Sequence, residues 1–370
     1  MSNWKECRNI LCIRADNMGD ILMSTPALQA LKQSFHCKIT LLTSCAGAPI
    51  VPLIKFIDEV IVQDLPWSQN KNPADANTLQ CLIETLKNRQ FDGAIIFTVY
   101  SQNPLPSVML AYMAEIPLRL AYCRENPYQL LTDWIPDEEP FSFIQHQVKR
   151  DLRLVASIGA HVDHLNDLLS ITYDQKLNVE QLNKFGIGIS EYLLFHPGVS
   201  EEKRTFPKHI WIELGRLIQE QLGIPIILTG STAEKQLTDE IAAEIGYGAF
   251  SMAGSLGLDA WVNTIGHAQL VVSVNTATIH IAAATQTPVV VLYALTNPQH
   301  TPWKVPTKIL PFSVKETLKS KNVIVRYVSE NKMPSDQLIP TAEEIFLAVK
   351  QLLHSKEDVF EKSTSTLQML

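Results

Sequence analysis

Ile10-Leu11-Cys12-Ile13-Arg14-Ala15-Asp16-Asn17-Met18-Gly19-Asp20-Ile21-Leu22-Met23-Ser24-Thr25-Pro26-Ala27-Leu28 passes from an apolar run to a polar turn and then to a helical pattern. Ile10 to Ile13 read as a buried strand. The turn carries Gly19 and Asp20. The periodicity through Leu28, Leu31 and Phe35 predicts a helix over 24–35, with Ser24 or Thr25 as N-cap and Pro26 in the first turn. A strand that feeds a helix in this way places the turn at the carboxyl edge of a sheet, where α/β folds bind ligands. Asp20 is therefore the first candidate for chemistry. An aspartate at that place can equally serve the helix by capping it. Arg14 and Asp16 are close enough along the chain to pair and orient the turn.

Working outward, apolar runs alternate with amphipathic segments. Strands are expected at 10–14, 38–43, 59–63, 93–98 and 117–122, then at 192–196, 224–229, 270–274 and 288–293. Helices are expected at 24–35, 76–89, 106–115, 145–158, 207–222, 233–245, 258–267, 276–285 and 341–354. This alternation implies parallel sheets with right-handed crossovers. A chain of 370 residues exceeds one core, so the expectation is α/β: two Rossmann-like doubly wound domains facing a cleft. Residues 1–175 form the first and 176–354 the second. The boundary lies in 160–190, near Gly186 and Gly188, and 355–370 are expected to be a disordered tail.

Composition excludes several classes. The net charge of -7 favours no nucleic acid partner. Acidic residues exceed basic ones in both halves, 19 to 14 in residues 1–175 and 19 to 17 in the rest. Six cysteines form no C-x-x-C pair, and the expectation is buried free thiols in a reducing compartment. The N-terminal segment lacks the apolar core of a signal peptide. No run approaches the roughly 18 apolar residues of a membrane span. A cytoplasmic location is expected, and a peripheral position at the inner face of the cytoplasmic membrane stays open. Segment 315–332 carries five Lys/Arg against two Glu, which fits a solvated face better than a lipid-facing one. No dinucleotide G-x-G-x-x-G, P-loop, G-x-S-x-G elbow or H-E-x-x-H occurs. His161 and His164 form the only close histidine pair, and a surface loop explains them better than zinc. No metal ligand is assigned.

Two further turns could hold an anion, and a third could meet a sugar hydroxyl. A strand ends at Asn275, and a helix of small residues follows at once. Asn275 or Thr276 can cap it, leaving free N–H groups and the positive dipole end for a diphosphate. His280 lies one turn further on. In Phe195-His196-Pro197-Gly198-Val199-Ser200-Glu201-Glu202-Lys203-Arg204, Lys203 and Arg204 occupy a βα loop, where cations suit phosphate. Glu201 and Glu202 beside them offer the simpler reading of a solvated charge cluster. Glu234 follows the next strand, where it could accept from ribose hydroxyls or complement a helix dipole.

Taken together, these segments resemble glycosyltransferase family 9, the lipopolysaccharide heptosyltransferase-like enzymes. The family pattern of a basic residue, Met/Leu-Gly-Asp and a later Pro matches Arg14, Met18-Gly19-Asp20 and Pro26. His196-Pro197-Gly198 with Arg204-Thr205-Phe206-Pro207 matches a His/Asn-Pro-Gly turn followed by Lys-x-Trp-Pro. Asn275-Thr276-Ala277-Thr278-Ile279-His280-Ile281-Ala282-Ala283 matches Asp-[Ser/Thr]-Gly-x-x-His-x-Ala-Ala with two changes. Ile116-Pro117-Leu118-Arg119 is similar to Gly-Ile-Pro-x-Arg.

The resemblance implies a GT-B fold and inverting, metal-independent transfer of a heptose-like sugar. The donor would be a nucleotide-diphosphate sugar, ADP-heptose in the heptosyltransferases, and the acceptor a lipopolysaccharide-core or other glycan. No cofactor is implied beyond the donor itself. By matching position, Asp20 is the general base, with Arg14, Asn17 and Gly19 on the acceptor side. Ser200, Lys203, Arg204, Glu234, Asn275, Thr276, Ala277 and His280 are assigned to the donor. Inversion is one in-line displacement, so a single base suffices. The chain departs from the family at Asn275 for Asp, at Ala277 for Gly, and at Ala294, where Gly is frequent. Two alternatives on the same fold are a catalytically silent nucleotide-sugar-binding protein and a sugar-nucleotide epimerase. Retention of Gly19-Asp20 speaks against the silent protein, and an epimerase needs further acid–base groups that the sequence does not display.

Overall fold

The computed structural model describes residues 3–69, 72–163, 167–174, 182, 184–334 and 337–367, with side chains in the last helix described through His354. His164 lies outside the described residues, as does part of the expected boundary at 160–190. The chain divides into two compact units. The first runs through Thr172 and takes in Pro298–His300 and Asn322–Val325; the second holds the remainder from Tyr173.

The first unit is built on strands β1 (Asn9–Ile13), β2 (Lys38–Thr43), β3 (Glu59–Val62), β4 (Gly93–Ile96), β5 (Leu118–Cys123) and β6 (Asp133–Pro136). They form a parallel sheet in the order β3-β2-β1-β4-β5-β6. Central β1 pairs Ile13 with Leu42 of β2 and with Ile96 of β4. Helices α1 (Met18–Phe35), α2 (Ala76–Asn88), α3 (Leu105–Met113) and α4 (Gln147–Ala156) cover the faces. One core gathers Leu11, Ile13, Leu42, Ile96, Leu86 and Val108. On the other side α1 packs along α4. Burial on both faces explains the continuous apolar runs of the inner strands.

The second unit repeats this plan. Strands β7 (Leu193–His196), β8 (Ile226–Leu228), β9 (Ala249–Ser251), β10 (Leu270–Val274), β11 (Val289–Ala294) and β12 (Thr307–Phe312) are parallel in the order β12-β11-β10-β7-β8-β9. Its helices are α5 (Lys208–Leu222), α6 (Lys235–Ile245), α7 (Leu258–Gly266), α8 (Ala277–Ala284), α9 (Val323–Asn331), whose first residues through Val325 belong to the first unit, and α10 (Ala342–Leu367). Counting from each unit's first strand, both sheets have the order 3-2-1-4-5-6. Each therefore reverses its winding between its first and fourth strands, at β1/β4 and at β7/β10, and ligands bind beyond the carboxyl ends of such a pair. Among the described residues no helix is long and apolar enough to cross a membrane. Helix α10 continues past 354 as far as Leu367, into the segment expected to be a tail.

Two expectations are corrected. Strands β6, β9 and β12 and helix α9 were not expected. All three strands lie at sheet edges, and β6 alternates half-buried and exposed residues rather than forming the continuous run of an inner strand. Helix α1 begins at Met18, not 24, with Asn17 at the N-cap. Ser24, Thr25 and Pro26 are interior. A proline there lacks the N–H that would bind the carbonyl four residues back, at Leu22. The Thr25 hydroxyl supplies the donor instead, at 2.7 Å from the Leu22 oxygen. Thr25 also accepts the Ser170 N–H at 3.0 Å. Replacing Thr25 with Val, at constant shape, orphans both groups and should cost about 2–4 kcal/mol in urea unfolding, while Thr25→Ser should recover most of it.

Candidate active site

The carboxyl end of β1 carries Arg14, whose side chain is fully buried. Its guanidinium meets Asp16 at 3.1 Å and Asp20 at 3.2 Å, so the expected Arg14–Asp16 pair is present. Burial works against the charge, but Asp16, Asp151 and Asp20 together hold Arg14 protonated. Asp20 is the third residue of α1, and its Oδ2 accepts the Asn17 N–H at 3.2 Å. It caps its own helix and faces Arg14 at once, so the two readings of Asp20 coexist. His300 Nε2 lies 3.7 Å from Asp20 Oδ1. Gly19 is buried and Asn17 exposed.

Asp16 is tied on both sides. Gln102 donates to its Oδ1 at 2.7 Å, and Ser44 donates to its carbonyl at 2.6 Å. Burial pushes the Asp16 carboxyl up, and Arg14 pulls it back. Gly47 allows this turn to close, since a Cβ there would sit 2.7 Å from the Asp16 oxygen and 2.5 Å from Thr43 Oγ1. Beside Asp16 a cavity of about 240 Å³ opens at the β1/β4 edge, lined in part by Trp67, Ser68, Thr98, Gln102 and Ser107.

Behind the turn lies a buried polar network. Ser24 and Gln147 each donate to Asp151 at 2.7 Å. Arg150 Nε donates to the Thr98 carbonyl at 2.9 Å, and the guanidinium pairs with Asp137 and Glu139. Gln299, also fully buried, accepts the Gln147 N–H on its carbonyl at 3.0 Å and donates to Glu139 Oε1 at 2.9 Å. Asp151, Gln299 and His300 escaped the sequence reading. The available signal was α4 itself, where Gln147, Arg150 and Asp151 sit on its buried side. Nothing local marks Gln299 or His300, which reach the first unit from far along the chain. Arg119 is structural: its guanidinium donates to the carbonyls of Ile116, Leu130 and Gln129 and staples the connection into β6.

In the second unit the two expected turns lie at the β7/β10 edge. His196 ends β7. Burial lowers its pKa to about 4, so it is neutral near pH 7, and its Nδ1 lies 3.0 Å from Thr229 Oγ1. Gly198 lies under the Glu234 carboxylate, since a Cβ there would meet Glu234 at 2.2 Å. Glu234 in turn accepts the Ser231 N–H at 2.6 Å. Lys203 and Arg204 both pair with Glu201, at 2.5 and 2.7 Å. Arg204 also donates to the Asn275 carbonyl at 2.9 Å, which joins the two turns. Ser200 is exposed on the bend after Gly198. Phe206, at the family's Trp position, is core, packed on Trp211 and Phe312.

Helix α8 begins at Ala277 with Thr276 at the N-cap, and neither Thr276 nor Asn275 supplies a side-chain cap. The Asn275 capping expectation is corrected. Its carboxamide donates to the Ala294 carbonyl and accepts the Ala294 N–H, both at 3.1 Å, so it clasps β11 instead. The Thr276 hydroxyl donates to Thr278 Oγ1. Thr276 and Ala277 are half-buried, and His280 is buried. Among the described residues no three His, Cys, Asp or Glu side chains gather as metal ligands. All six cysteines are free; Cys45 and Cys81 are exposed and the other four buried.

Comparison with known proteins places this geometry. The profile of "Glycosyltransferase family 9 (heptosyltransferase)" matches residues 80–335, and the chain belongs to that family. It is a glycosyltransferase with an α/β GT-B fold. Lipooligosaccharide heptosyltransferase 2 of Haemophilus influenzae is 25% identical over 307 residues, covering 80% of this chain and 85% of that protein. A glycosyl transferase family 9 structure from Veillonella parvula superposes with a TM-score of 0.75 at 16% identity, covering 96% of this chain and 99% of that one. The Escherichia coli ADP-heptose lps heptosyltransferase II structure gives 0.70 at 20% identity, covering 94% and 99%.

Burial pushes the Asp151 carboxyl up to about 6, above the roughly 3.9 of an unfolded chain. Between those values the folded state holds a proton that the unfolded state has released. The group's stabilisation is thus complete below about pH 4 and is lost as pH rises through about 6, a swing of roughly 3 kcal/mol. Asp151→Asn removes the step, so the variant should gain on the wild type in urea titrations between pH 4 and pH 7. A constant difference across that range would refute the assignment.

Proposed function

We propose that the protein transfers a heptose-like sugar from a nucleotide-diphosphate donor to a lipopolysaccharide-core or related glycan acceptor, with inversion and without a metal. ADP-heptose is the first donor to test, being named for the E. coli relative. The observation that carries the reading is Asp20, a carboxylate held by Arg14 at the first unit's winding reversal, in a chain of this family.

In this mechanism the acceptor hydroxyl oxygen attacks the anomeric carbon as Asp20 takes its proton. The bond from that carbon to the diphosphate breaks, and the electron pair leaves with the diphosphate. Lys203, Arg204 and the N–H groups at the start of α8 supply the positive field for that charge. Ser200, Glu234, Asn275, Thr276, Ala277 and His280 complete the donor side. Arg14, Asn17 and Gly19 shape the acceptor side. The cavity beside Asp16, with hydroxyl, carboxamide and indole groups in its wall, has the chemistry of a sugar subsite. Such an acceptor is a lipid-anchored glycan, met at the cytoplasmic face of a membrane.

A second reading is a silent donor-binding protein. Ala277, whose methyl stands where the family has glycine, favours it. Calorimetry with ADP and turnover with ADP-heptose on a truncated lipopolysaccharide core separate the two, since binding without turnover would establish the silent protein. Asp20→Asn should lower kcat by about 10²–10⁴-fold while the Kd for ADP stays within about twofold. Equal loss of binding and turnover would remove Asp20 as base. Gly198→Ala forces the Glu234 carboxylate aside and should weaken ADP binding by about tenfold, the worth of one or two hydrogen bonds.

A further inference from the structure

Residues 298–300 enter the first unit from the far end of the chain, and their placement there is built rather than incidental. Gln299 is fully buried. Its carbonyl takes the Gln147 N–H at 3.0 Å, its Nε2 donates to Glu139 at 2.9 Å, and its Oε1 accepts the Tyr100 N–H at 3.3 Å. This anchor sets the next residue, His300, with Nε2 3.7 Å from Asp20 Oδ1. The His300 side chain retains 21% of its exposure, and that of Asp20 14%, so the pair reaches water at the imidazole. Asp20 Oδ2 is meanwhile held by the Asn17 N–H and Oδ1 by Arg14.

We propose that His300 is a positioning residue that acts through Asp20, taking from it the proton gained from the acceptor and passing it to water. The inference rests on the reading of Asp20 as base. The proton balance is complete. The acceptor O–H proton goes to Asp20 as the glycosidic bond forms and the diphosphate leaves. Asp20 then gives it to His300 Nε2, in the tautomer that carries its hydrogen on Nδ1. The imidazolium returns it to solvent and restores the starting state. An imidazole accepts a proton from a carboxylic acid in ordinary general acid–base chemistry, so His300 Nε2 is a competent acceptor. The charged groups around the pair are Arg14 at the end of β1, Asp16 in the turn and Asp151 on α4. One arginine faces three carboxylates there, which favours a second, titratable cation beside Asp20.

The active state needs His300 neutral and Asp20 ionised, so the acidic limb of the kcat profile should fall near the histidine range. In His300→Gln that limb should move at least one pH unit lower. kcat at neutral pH should drop about tenfold, with KM for ADP-heptose and for the truncated core within twofold. A limb left in place, as titration of Asp151 alone would leave it, overturns the proposal even if kcat falls. A second measurement needs no turnover. By NMR of the full chain, the His300 imidazole should titrate 0.5–1 unit lower in Asp20→Asn than in the wild type, because the carboxylate stabilises the imidazolium. An unchanged titration overturns the coupling. Coupled titration in a protein that transfers no sugar would instead count against the proposed function.

Discussion

The buried guanidinium of Arg14 holds the turn after β1 together. Arg14 is fully buried at the end of the central strand and is the charge against which Asp16, Asp20 and Asp151 are all set. Removing a guanidinium from such a place strands carboxylates in low dielectric, an error worth about 3–5 kcal/mol. The turn after β1 is consequently rigid: Asp16 is pinned by Gln102 and Ser44, and Asp20 by its own helix start. Such rigidity is what the role proposed for Asp20 would require, since a general base must reach its proton within a few tenths of an ångström. The same ion cluster keeps Asp20 doubly employed, since a carboxylate that caps a helix is also one whose orientation is fixed.

Topology explains why chemistry gathers where it does. Both sheets have the same strand order, and each reverses its winding between its first and fourth strands. Crossovers leave that edge in opposite directions, so the backbone parts there and opens a crevice. In the first unit the crevice receives Asp16 and Asp20 from β1 and Thr98 from β4. In the second it receives Gly198 to Arg204 from β7 and Asn275 to His280 from β10. Arg204 binding the Asn275 carbonyl makes the latter pair one surface. The fold decides where a ligand can sit, and the family decides which chemistry to look for.

How much of this was legible follows from burial. Inner strands such as Leu270–Val274 are covered on both faces and announce themselves as apolar runs. Edge strands β6, β9 and β12 carry no such run, and all three went unread. The start of α1 was misplaced because Ser24, Thr25 and Pro26 have the composition of a cap. Only the hydroxyl of Thr25 on Leu22 shows how a proline is carried inside the helix. Asp20 and the turns after β7 and β10 were legible as sheet-edge turns because short local spacings encode them. The network through Asp151, Glu139 and Gln299 was not, because its decisive links, Ser24 to Asp151 and Gln299 to Glu139, span more than a hundred positions and leave no local spacing to read.

Asn275 shows how a departure from a family pattern can be settled by geometry. An aspartate at this place could accept the Ala294 N–H, but its other oxygen would face the Ala294 carbonyl, acceptor against acceptor. The carboxamide answers both, accepting from the N–H and donating to the carbonyl at 3.1 Å each, and it adds a third bond to Thr296. The loss of charge is thus matched by a two-way clasp that fixes the ends of β10 and β11. The backbone carbonyl of the same residue is left for Arg204. The exchange holds the turn after β10 in place through neutral hydrogen bonds, so the change at 275 is by itself no sign of a decayed site. Ala277 has no such counterpart. Its methyl stands in the first turn of α8, and the question of a silent protein therefore rests on that group and on Ala294.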